Sequence, residues 1–365
     1  MLRFLPLSQS DPSEVPQQRE KAAQLARALG IAPRIARLLI ARGVADAAEA
    51  EAFLHPSADM LCDPFAFQDM GKAVARIARA IRERERICIY GDYDVDGVCA
   101  TSILLLYLRS CGAEVSYHIP SRHAEGYGMN LGAVERLAAE DVKLILTVDN
   151  GVKANAELAR CRELGMDAIV TDHHLPGDAL PKCEAILCHT VPGCAYPNRH
   201  ICGAGTAFKL VEALGGRVAA LHYVALAGLA TVADVVPLMG ENRVFAALAL
   251  AAVNRGECPL GLSALVEAAF EKKRALTARD FAFAIAPRLN AAGRMADASL
   301  GVALLTETDA GRARALALRL NELNAARQRE ESAIFEAASA AIEMDDLTEK
   351  RGIVLKSADW NPGVV

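Results

Sequence analysis

The stretch ICIYGDYDVDG, residues 87–97, decides the fold of this chain. Its first four residues form a short apolar run of the kind that builds a buried strand. Asp92, Asp94 and Asp96 then follow within five residues, and carboxylates this close repel one another unless a cation holds them. The stretch therefore predicts a strand that ends in a metal-binding acidic loop.

Further short apolar runs follow this stretch and alternate with segments of helical character. The expected strands are Ile87–Tyr90, Glu114–Ile119, Leu144–Val148, Ala168–Val170 and Ala185–Leu187, and the expected helices between them are Cys99–Ser110, Leu131–Ala139 and Asn155–Leu164. This alternation predicts an α/β domain with a mainly parallel sheet flanked by helices.

Acids and histidines come directly after two more of these strands. Leu144–Val148 is followed by Asp149, and Ala168–Val170 leads through Thr171 into Asp172-His173-His174. Because the carboxyl ends of parallel strands lie on one edge of a sheet, we expect these side chains to meet the first acidic loop in one crevice.

A fourth acid, Asp234, lies in the apolar run ATVADVVP, residues 230–237. An unpaired carboxylate in such surroundings would carry a heavy desolvation cost if it were buried. Metal ligation, a helix cap and a surface position each avoid that cost. The residues alone leave these three alternatives open, and the other ligand candidates favour the first.

Two other sites begin with a similar acidic motif. A calcium EF-hand loop needs a Glu at its twelfth position, where this chain has Ile103 when counted from Asp92, and it follows a helix, not a strand. A haloacid-dehalogenase-type phosphatase has a strand that ends in a motif like 94–97, but that alternative leaves Asp92, His173 and His174 without a role. The first alternative fails, and the second stays a minor one.

Composition narrows the class of protein. The chain has 365 residues, which suits about two domains, and 53% hydrophobic with 23% charged residues is typical of a globular protein. The most apolar segment, 218–236, is interrupted by His222, Gly228 and Asp234, so no membrane span is expected.

The first residues lack the pattern of a signal peptide, and a cytoplasmic location is expected. The net charge of −5 argues against a generally basic coat but allows a local basic groove.

Ten cysteines are scattered along the chain. Cys88 and Cys99 lie in apolar runs and are expected to be buried free thiols. A cluster of Cys183, Cys188, His189, Cys194, His200 and Cys202 could be drawn as a zinc site. Because it contains no CxxC pair, reduced cysteines are favoured over structural zinc.

The motifs resemble those of a known family. Asp92–Asp96, Asp149, Asp172–His174 and Asp234 resemble, in order, the four phosphoesterase motifs of the DHH family, and the motifs GDYDVDG, TVDNG, TDHH and TVADVVPL are similar to its RecJ branch. Further similar blocks are Arg42–Val44, Phe53–Pro56, Cys202–Gly205 and Pro287–Arg294. Together these blocks cover nearly the whole chain and are highly specific.

This chain departs from the family pattern in two places. Cys188-His189-Thr190 stands where RecJ-like chains often have Asn-Pro, which leaves the shape of that loop open. The residues 360–365 resemble the opening of the second DHH-associated domain. We therefore expect a C-terminally truncated enzyme.

The resemblance implies a domain organisation. A helical N-terminal region, 1–86, would pack on a DHH catalytic domain, 87–305. A long connecting helix, 306–345, would then lead to the start of the second domain, 346–365. The candidate N-caps of this connecting helix are Thr306, Thr308 and Asp309. Expected N-terminal helices are Gln18–Leu29, Pro33–Ala41, Ala45–Leu54 and Lys72–Arg84; Thr206–Val253 is expected to be helical, and Gly352–Lys356 to be a strand.

The resemblance also implies an activity. It is a single-stranded-DNA-specific 5′→3′ exonuclease that releases 5′-mononucleotides by two-metal hydrolysis and acts in DNA repair and recombination. The cofactors would be two Mn²⁺ (or Mg²⁺) ions. Asp149 would bridge them, Asp92 and Asp94 would bind one, and Asp96, His173 and Asp234 the other. His174 would contact the phosphate, and Asp172 would orient its neighbours.

Substrate contacts are expected on two loops. Arg122 in the loop 121–128 would bind the terminal 5′ phosphate, and Tyr127 would stack on a base; an ordinary loop is the alternative. Arg288, Asn290 and Arg294 lie in a stretch expected to be turn-like, where Gly293 permits close approach, and would contact phosphates; a structural cap is the alternative.

The expected partner is single-stranded DNA with a 5′ end, with a single-strand-binding protein and a helicase as further partners. Two other functions stay open at this point. One is a DHH phosphodiesterase acting on short oligonucleotides, and the other is a non-catalytic single-strand-binding scaffold of the same fold. Scaffolds of this kind typically have lost metal ligands, whereas every acid and histidine is present in this chain.

Overall fold

The computed structural model describes residues 15–122, 125–343 and 351–365, which fall into two compact units that divide between Leu61 and Cys62. Among the described residues, the first unit contains three α-helices, α1 Val15–Leu29, α2 Pro33–Ala41 and α3 Ala47–Leu54, and a short 3₁₀ helix, Ala58–Met60. Asp46 starts α3, because its carboxylate accepts from the Glu49 N–H at 2.9 Å while Glu49 accepts from the Ala45 N–H at 2.7 Å. The predicted helices of this region are confirmed.

A five-stranded parallel sheet forms the centre of the second unit. Its strands are β1 Arg86–Tyr90, β2 Val115–His118, β3 Val142–Val148, β4 Asp167–Asp172 and β5 Ala185–Cys188, in the order β2-β1-β3-β4-β5. The predicted parallel α/β sheet is therefore confirmed. The order reverses between β1 and β3, and a crevice opens beyond the carboxyl ends of strands at such a point.

Helices cover both faces of this sheet. They are α4 Met70–Glu83, α5 Val95–Ser110, α6 Leu131–Ala139, α7 Asn155–Glu163 and α8 Gly203–Leu221. Beyond them, α9 Val224–Ala233 packs on α5 and α8, α10 Gly240–Arg255 packs on α9, and α11 Leu260–Ala269 follows. Helices α6 and α7 pack on the face that carries Cys88, Ile145 and Val170, and α5 and α8 lie against the other. Cys88 and Cys99 are buried free thiols, as predicted.

The remaining helices lie in the C-terminal third. They are α12 Ala278–Asp280, a π-helical turn Phe281–Ile285, α13 Ala286–Met295, α14 Ser299–Leu305 and α15 Ala310–Glu343. The prediction of a turn-like stretch around Arg288, Asn290 and Arg294 is wrong, because these residues belong to α13. Pro287 lies in its first turn, where a missing N–H breaks no helical hydrogen bond, and alanines favour the helix beyond it.

Two further expectations concern the C-terminal end. Asp309 starts α15, since its carboxylate accepts from the Arg312 N–H at 2.8 Å, whereas Thr306 ends α14. The predicted strand Gly352–Lys356 is wrong, because 351–365 contains no strand and no neighbouring strand pairs with it. The expectations for the first 14 residues and for 346–350 lie outside the described residues.

Helices α8 and α9 are both apolar and follow one another closely along the chain. No single helix there is both long and apolar enough to cross a membrane; α8 and α9 pass that test only together, and a bend of 103° separates them.

Candidate metal centre

The acidic loop after β1 is fixed by two helix N-termini. Asp94 caps α5, and its carboxylate accepts from the Gly97 N–H at 3.0 Å. Asp96 is buried, and its two oxygens accept from the N–H groups of Gly203 at 2.6 Å and Ala204 at 2.8 Å. Those two N–H groups begin α8, where the helix dipole favours an anion.

Two glycines allow these elements to meet. A Cβ on Gly203 would lie 2.8 Å from Asp149 Cβ, and a Cβ on Gly97 would lie 2.6 Å from the Asp92 carbonyl oxygen. Both distances are shorter than any side chain tolerates. The N-termini of α5 and α8 can therefore approach the carboxyl ends of β1 and β3 only because neither glycine has a side chain.

Asp149 directly follows β3, at the point where the strand order of the sheet reverses. It is 1% exposed and has a left-handed backbone with φ 63, which is uncommon outside glycine. Its N–H donates to Thr171 O at 3.0 Å, and its Oδ1 lies 2.9 Å from His173 Nε2. With this backbone conformation, the carboxylate lies beside the residues that follow β4.

The neighbouring Asn150 ties the ends of β1 and β3 together. Its buried Nδ2 donates to Gly91 O at 3.0 Å and to Val148 O at 2.9 Å. Asn150 lies in the motif TVDNG, but the sequence alone predicts no role for it. Its position after a predicted strand and between two candidate ligand loops was the available signal.

Asp172 orients the two histidines that follow it. It is 1% exposed and accepts from the N–H groups of Val152 at 2.9 Å, His173 at 2.7 Å and His174 at 3.1 Å; its Oδ1 also lies 2.8 Å from His174 Nδ1. Burial acts to raise the pKa of Asp172, but these hydrogen bonds outweigh burial and the pKa is lowered. The Asp172 contact in turn raises the pKa of His174, which favours an imidazolium whose Nε2 also carries a proton to donate.

Asp234 joins the site from the other side of the sheet edge. It ends α9, and its Oδ2 lies 3.7 Å from His173 Nδ1. The next residue, Val235, has φ 57 and is 86% exposed. A β-branched residue in that conformation is strained, and such strain clusters at functional sites.

These side chains form three overlapping groups of potential metal ligands. The groups are Asp92, Asp94 and Asp149; Asp96, His173 and Asp234; and Asp149, His173 and His174, and within each the ligand atoms lie within 4.8 Å of one another. All six predicted metal ligands are brought together, with Asp149 shared between groups.

Two buried oxygens show that the site suits cations. Oδ1 of Asp92 accepts no hydrogen bond from the described residues, and Oδ1 of Asp149 has only the contact with His173 Nε2 at 2.9 Å. Buried carboxylate oxygens with so few partners are costly. Burial raises the pKa of Asp92 to about 7, and the charge of the neighbouring Asp94 adds to the effect. Burial also raises the pKa of Asp234 to about 7, and there the charge of Asp96 adds to it. A carboxylate-rich set with one imidazole fits divalent manganese or magnesium.

We expect the affinity for Mn²⁺ to fall steeply below pH 7. With pKa values raised to about 7, Asp92 and Asp234 carry protons below that pH, and a metal can bind only after they leave. Each proton that must leave lowers the affinity for the metal by up to tenfold per pH unit below the pKa. With two such protons, the affinity for Mn²⁺ should drop roughly 10- to 100-fold between pH 7 and pH 6. Titration calorimetry at pH 6, 7 and 8 measures this drop, and a constant affinity would contradict it.

The structure places the loop after β2 beside this centre. The Arg122 guanidinium lies 4.3 Å from the centre of the Tyr93 ring. The Tyr127 hydroxyl lies 3.3 Å from Asp149 O and 3.3 Å from each ring nitrogen of His174. Both predicted substrate-binding residues of this loop therefore border the ligand groups.

The three candidates on α13 have other partners. Asn290 Oδ1 accepts from the Val95 N–H at 3.0 Å and so supports the start of α5. Arg288 donates to Asn321 Oδ1 at 2.9 Å and to Ala284 O at 2.7 Å, and Arg294 donates to Gly363 O at 3.1 Å. Gly293 does permit close approach, since its Cβ would lie 2.7 Å from Tyr93 O. Phosphate contacts by these three side chains stay a prediction.

The cysteine and histidine cluster 183–202 does not form a ligand group. No cysteine belongs to the three groups that the described residues bring together, and every cysteine of the cluster is free. Cys188 Sγ instead lies 3.0 Å from Thr190 Oγ1. The described residues therefore give no support to a structural zinc site in this segment.

Comparison with known proteins gives consistent matches. The model of the DHH family, N-terminal domain, matches residues 86–233. The single-stranded-DNA-specific exonuclease RecJ of Bacillus subtilis (strain 168) is 40% identical over 347 residues, which are 95% of this chain and 44% of that protein. The chain thus spans less than half the length of this relative.

Two solved structures are similar as well. A crystal structure of exonuclease RecJ bound to manganese has 37% identity and a TM-score of 0.73, covering 82% of this chain and 75% of that chain. RecJ from Thermus thermophilus in complex with Mn²⁺ has 33% identity and a TM-score of 0.80, covering 94% of this chain and 49% of that chain.

Proposed function

Because the chain belongs to the DHH phosphoesterase family, and within it to the RecJ branch, we propose that it is a metal-dependent 5′→3′ exonuclease specific for single-stranded DNA. It would release 5′-mononucleotides. The observation that supports this most is the convergence of three strand ends on Asp149, where acid and histidine side chains form overlapping ligand groups and the buried Asp92 Oδ1 accepts no hydrogen bond from the described residues. The activity is proposed, since the chain spans only part of its relatives.

We assign the six ligand side chains to two divalent cations, Mn²⁺ or Mg²⁺. Asp92 and Asp94 would hold one, Asp96, His173 and Asp234 would hold the other, and Asp149 would serve both. When bound, the cations supply positive charge for the phosphate and lower the pKa of the attacking water. Asp96 keeps its orientation through the N–H groups at the start of α8.

The chain's own residues orient the scissile phosphate. His174 donates from Nε2 to a phosphate oxygen as negative charge develops there, while Nδ1 stays fixed on Asp172. Tyr127 holds His174 from the other side. Arg122 binds the terminal 5′ phosphate with a charge-assisted hydrogen bond, and its contact with the Tyr93 ring limits its movement.

Digestion of labelled oligonucleotides tests the proposed function. The chain is incubated with Mn²⁺ and a 5′-phosphorylated single strand that carries its label at the 5′ or the 3′ end. Labelled mononucleotide from the first substrate and progressive shortening of the second would support it. Binding without hydrolysis would favour the scaffold, and hydrolysis confined to very short strands would favour the short-oligonucleotide phosphodiesterase.

Arg122→Ala should weaken the use of 5′-phosphorylated ends by roughly 10- to 100-fold in kcat/KM, because a charged hydrogen bond contributes about 1.5–3 kcal/mol. Strands with a 5′-hydroxyl should be affected much less. The exposed Arg109 at the end of α5 provides the control variant, Arg109→Ala. Equal losses on both kinds of end would show that Arg122 does not recognise the terminal phosphate.

The wider biology forms part of the same proposal. We propose a cytoplasmic enzyme of DNA repair and recombination, with a single-strand-binding protein and a helicase as partners. Residues 87–305 would form its catalytic domain, on which the helical N-terminal region 1–86 would pack. The connecting helix would lead to the second domain, which would begin within 346–365. Co-purification from cells tests the two partners.

A further inference from the structure

A cavity of about 390 Å³ lies beyond the carboxyl end of β5 and has no role in the mechanism above. Leu175, His189, Thr190, Pro192, Cys194 and Arg199 line it. It adjoins the metal centre, because Thr190 Oγ1 donates to His174 O at 2.5 Å and Leu175 directly follows that histidine. Its size lies within the range of small-molecule sites in proteins.

The cavity has a positively charged side. Arg199 is exposed; its Nη1 donates to His189 O at 2.8 Å, and no acid in the described ranges forms an ion pair with it. His189 is 5% exposed, and its Nδ1 has no hydrogen-bond partner among those ranges. Burial lowers the pKa of His189 to about 4, and the charges of His173, His200 and Arg199 act in the same direction. An unpaired cation in such surroundings suits an anionic ligand.

The other side of the cavity is apolar. Leu175 is 72% exposed, and Pro192 is exposed beside it. Leu175 and Pro192 together give the cavity an apolar wall next to the proposed catalytic His174. Apolar surface for a base together with a cation for a phosphate is the combination that single nucleotides need.

The sheet order places this cavity opposite the loop of Arg122. Arg122 follows β2 at one edge of the sheet, His189 follows β5 at the other, and the proposed metal ligands follow β1, β3 and β4 between them. The two edge strands, β2 and β5, are four strand spacings apart, which is a distance of about 19 Å. A strand of DNA that reaches from one to the other must pass the metal centre.

We propose that this cavity binds the nucleotide on the 3′ side of the scissile phosphodiester. Arg199 pairs with the next phosphate along the strand, and Leu175 and Pro192 contact the base. The single strand then crosses the sheet edge with its 5′ end at β2 and its continuing 3′ portion at β5. This inference rests on the proposed exonuclease function.

Kinetics on 5′-phosphorylated oligonucleotides of two lengths test the proposal. A dinucleotide contains the scissile phosphodiester but lacks the phosphate that Arg199 would bind, whereas a tetranucleotide has it. Arg199→Ala should raise the ratio of KM for the tetranucleotide to KM for the dinucleotide about tenfold, with kcat for the tetranucleotide unchanged. Arg162→Ala is the matched control, because Arg162 is also exposed and lines a cavity at the opposite end of the sheet.

A binding measurement without metal gives a second readout. Fluorescence anisotropy of a labelled tetranucleotide in EDTA should show a Kd raised about tenfold by Arg199→Ala and unchanged by Arg162→Ala. An unchanged KM ratio together with an unchanged Kd would overturn the subsite. If the unmodified chain hydrolysed neither oligonucleotide, the proposed function would fail, and the anisotropy comparison would still decide whether Arg199 binds the strand.

Discussion

Replacing Asp149 with asparagine should lower kcat/KM by about 1000-fold or more and leave the fold intact. Asp149 is the carboxylate shared between the ligand groups, so its loss weakens both proposed metal positions. Metal charge contributes several kcal/mol to such reactions, and each 1.36 kcal/mol is about tenfold in rate. Steady-state kinetics with Mn²⁺ measures the loss, and retained hydrolysis would contradict the shared role of Asp149.

Asp141→Asn is a matched control for this variant. Asp141 also has a left-handed backbone, with φ 61, but it is exposed at the surface and pairs with Lys143 at 2.7 Å. Asparagine tolerates this conformation well at both positions. The Asp141 variant should therefore keep full activity.

The same pair of variants should differ in stability without metal. Burial raises the pKa of Asp149 well above its ordinary range, and the charges of Asp96, Asp94 and Asp92 add to this. An acid whose pKa is raised by folding destabilises the folded state at every pH where the acid is ionised in the unfolded chain. At neutral pH, its replacement by a neutral side chain should therefore increase the free energy of unfolding. We expect Asp149→Asn to raise the melting temperature in EDTA and to reduce the stabilisation that Mn²⁺ gives.

Asp172→Ala should destabilise the protein by about 3 kcal/mol and lower kcat roughly 10- to 100-fold. The substitution removes the acceptor for the N–H groups of Val152, His173 and His174 and for the His174 ring. Buried donors left without an acceptor cost about 1–3 kcal/mol each before relaxation, and residues that orient metal ligands typically contribute 10- to 100-fold. Urea denaturation and steady-state kinetics measure the two effects.

The control for Asp172→Ala is Asp178→Ala. Asp178 is an exposed acid in the same connection between β4 and β5, and its loss should change the free energy of unfolding by less than about 0.5 kcal/mol. The pKa of His174 should also fall in the Asp172 variant, because the Asp172 contact is what raises it. Unchanged stability and an unchanged His174 titration by NMR would show that Asp172 does not orient the histidines.

The sequence reveals most of the sheet and of the ligand set for one physical reason. Buried parallel strands are continuous apolar runs, and a carboxylate directly after such a run must lie at the carboxyl edge. Asp92, Asp149 and His173 could be placed in this way. Asp234 required more, because it ends a helix: the desolvation argument left three alternatives open, and the other ligand candidates and the family resemblance favoured metal ligation.

The interactions that orient the ligands could not be read from the sequence. Asp96 is held by backbone N–H groups of Gly203 and Ala204, and a backbone donor leaves no mark in the side-chain pattern. The prediction of a turn-like stretch around Asn290, with Gly293 permitting close approach of the backbone, also lacked the tertiary contacts of this segment. In the structure its alanines and the packing of α13 against α15 outweigh that local signal.

The contact between Asp96 and the start of α8 also constrains how the protein is made. More than 100 residues of chain separate Asp96 from Gly203, and Asp234 comes later still. A chain leaving the ribosome from its N-terminus therefore exposes the acidic loop long before the partners that organise it exist. During that interval the loop can hold a cation only weakly, and tight capture must wait until α9 has been synthesised and folded. We therefore expect the metal ions to bind late in the synthesis and folding of this protein.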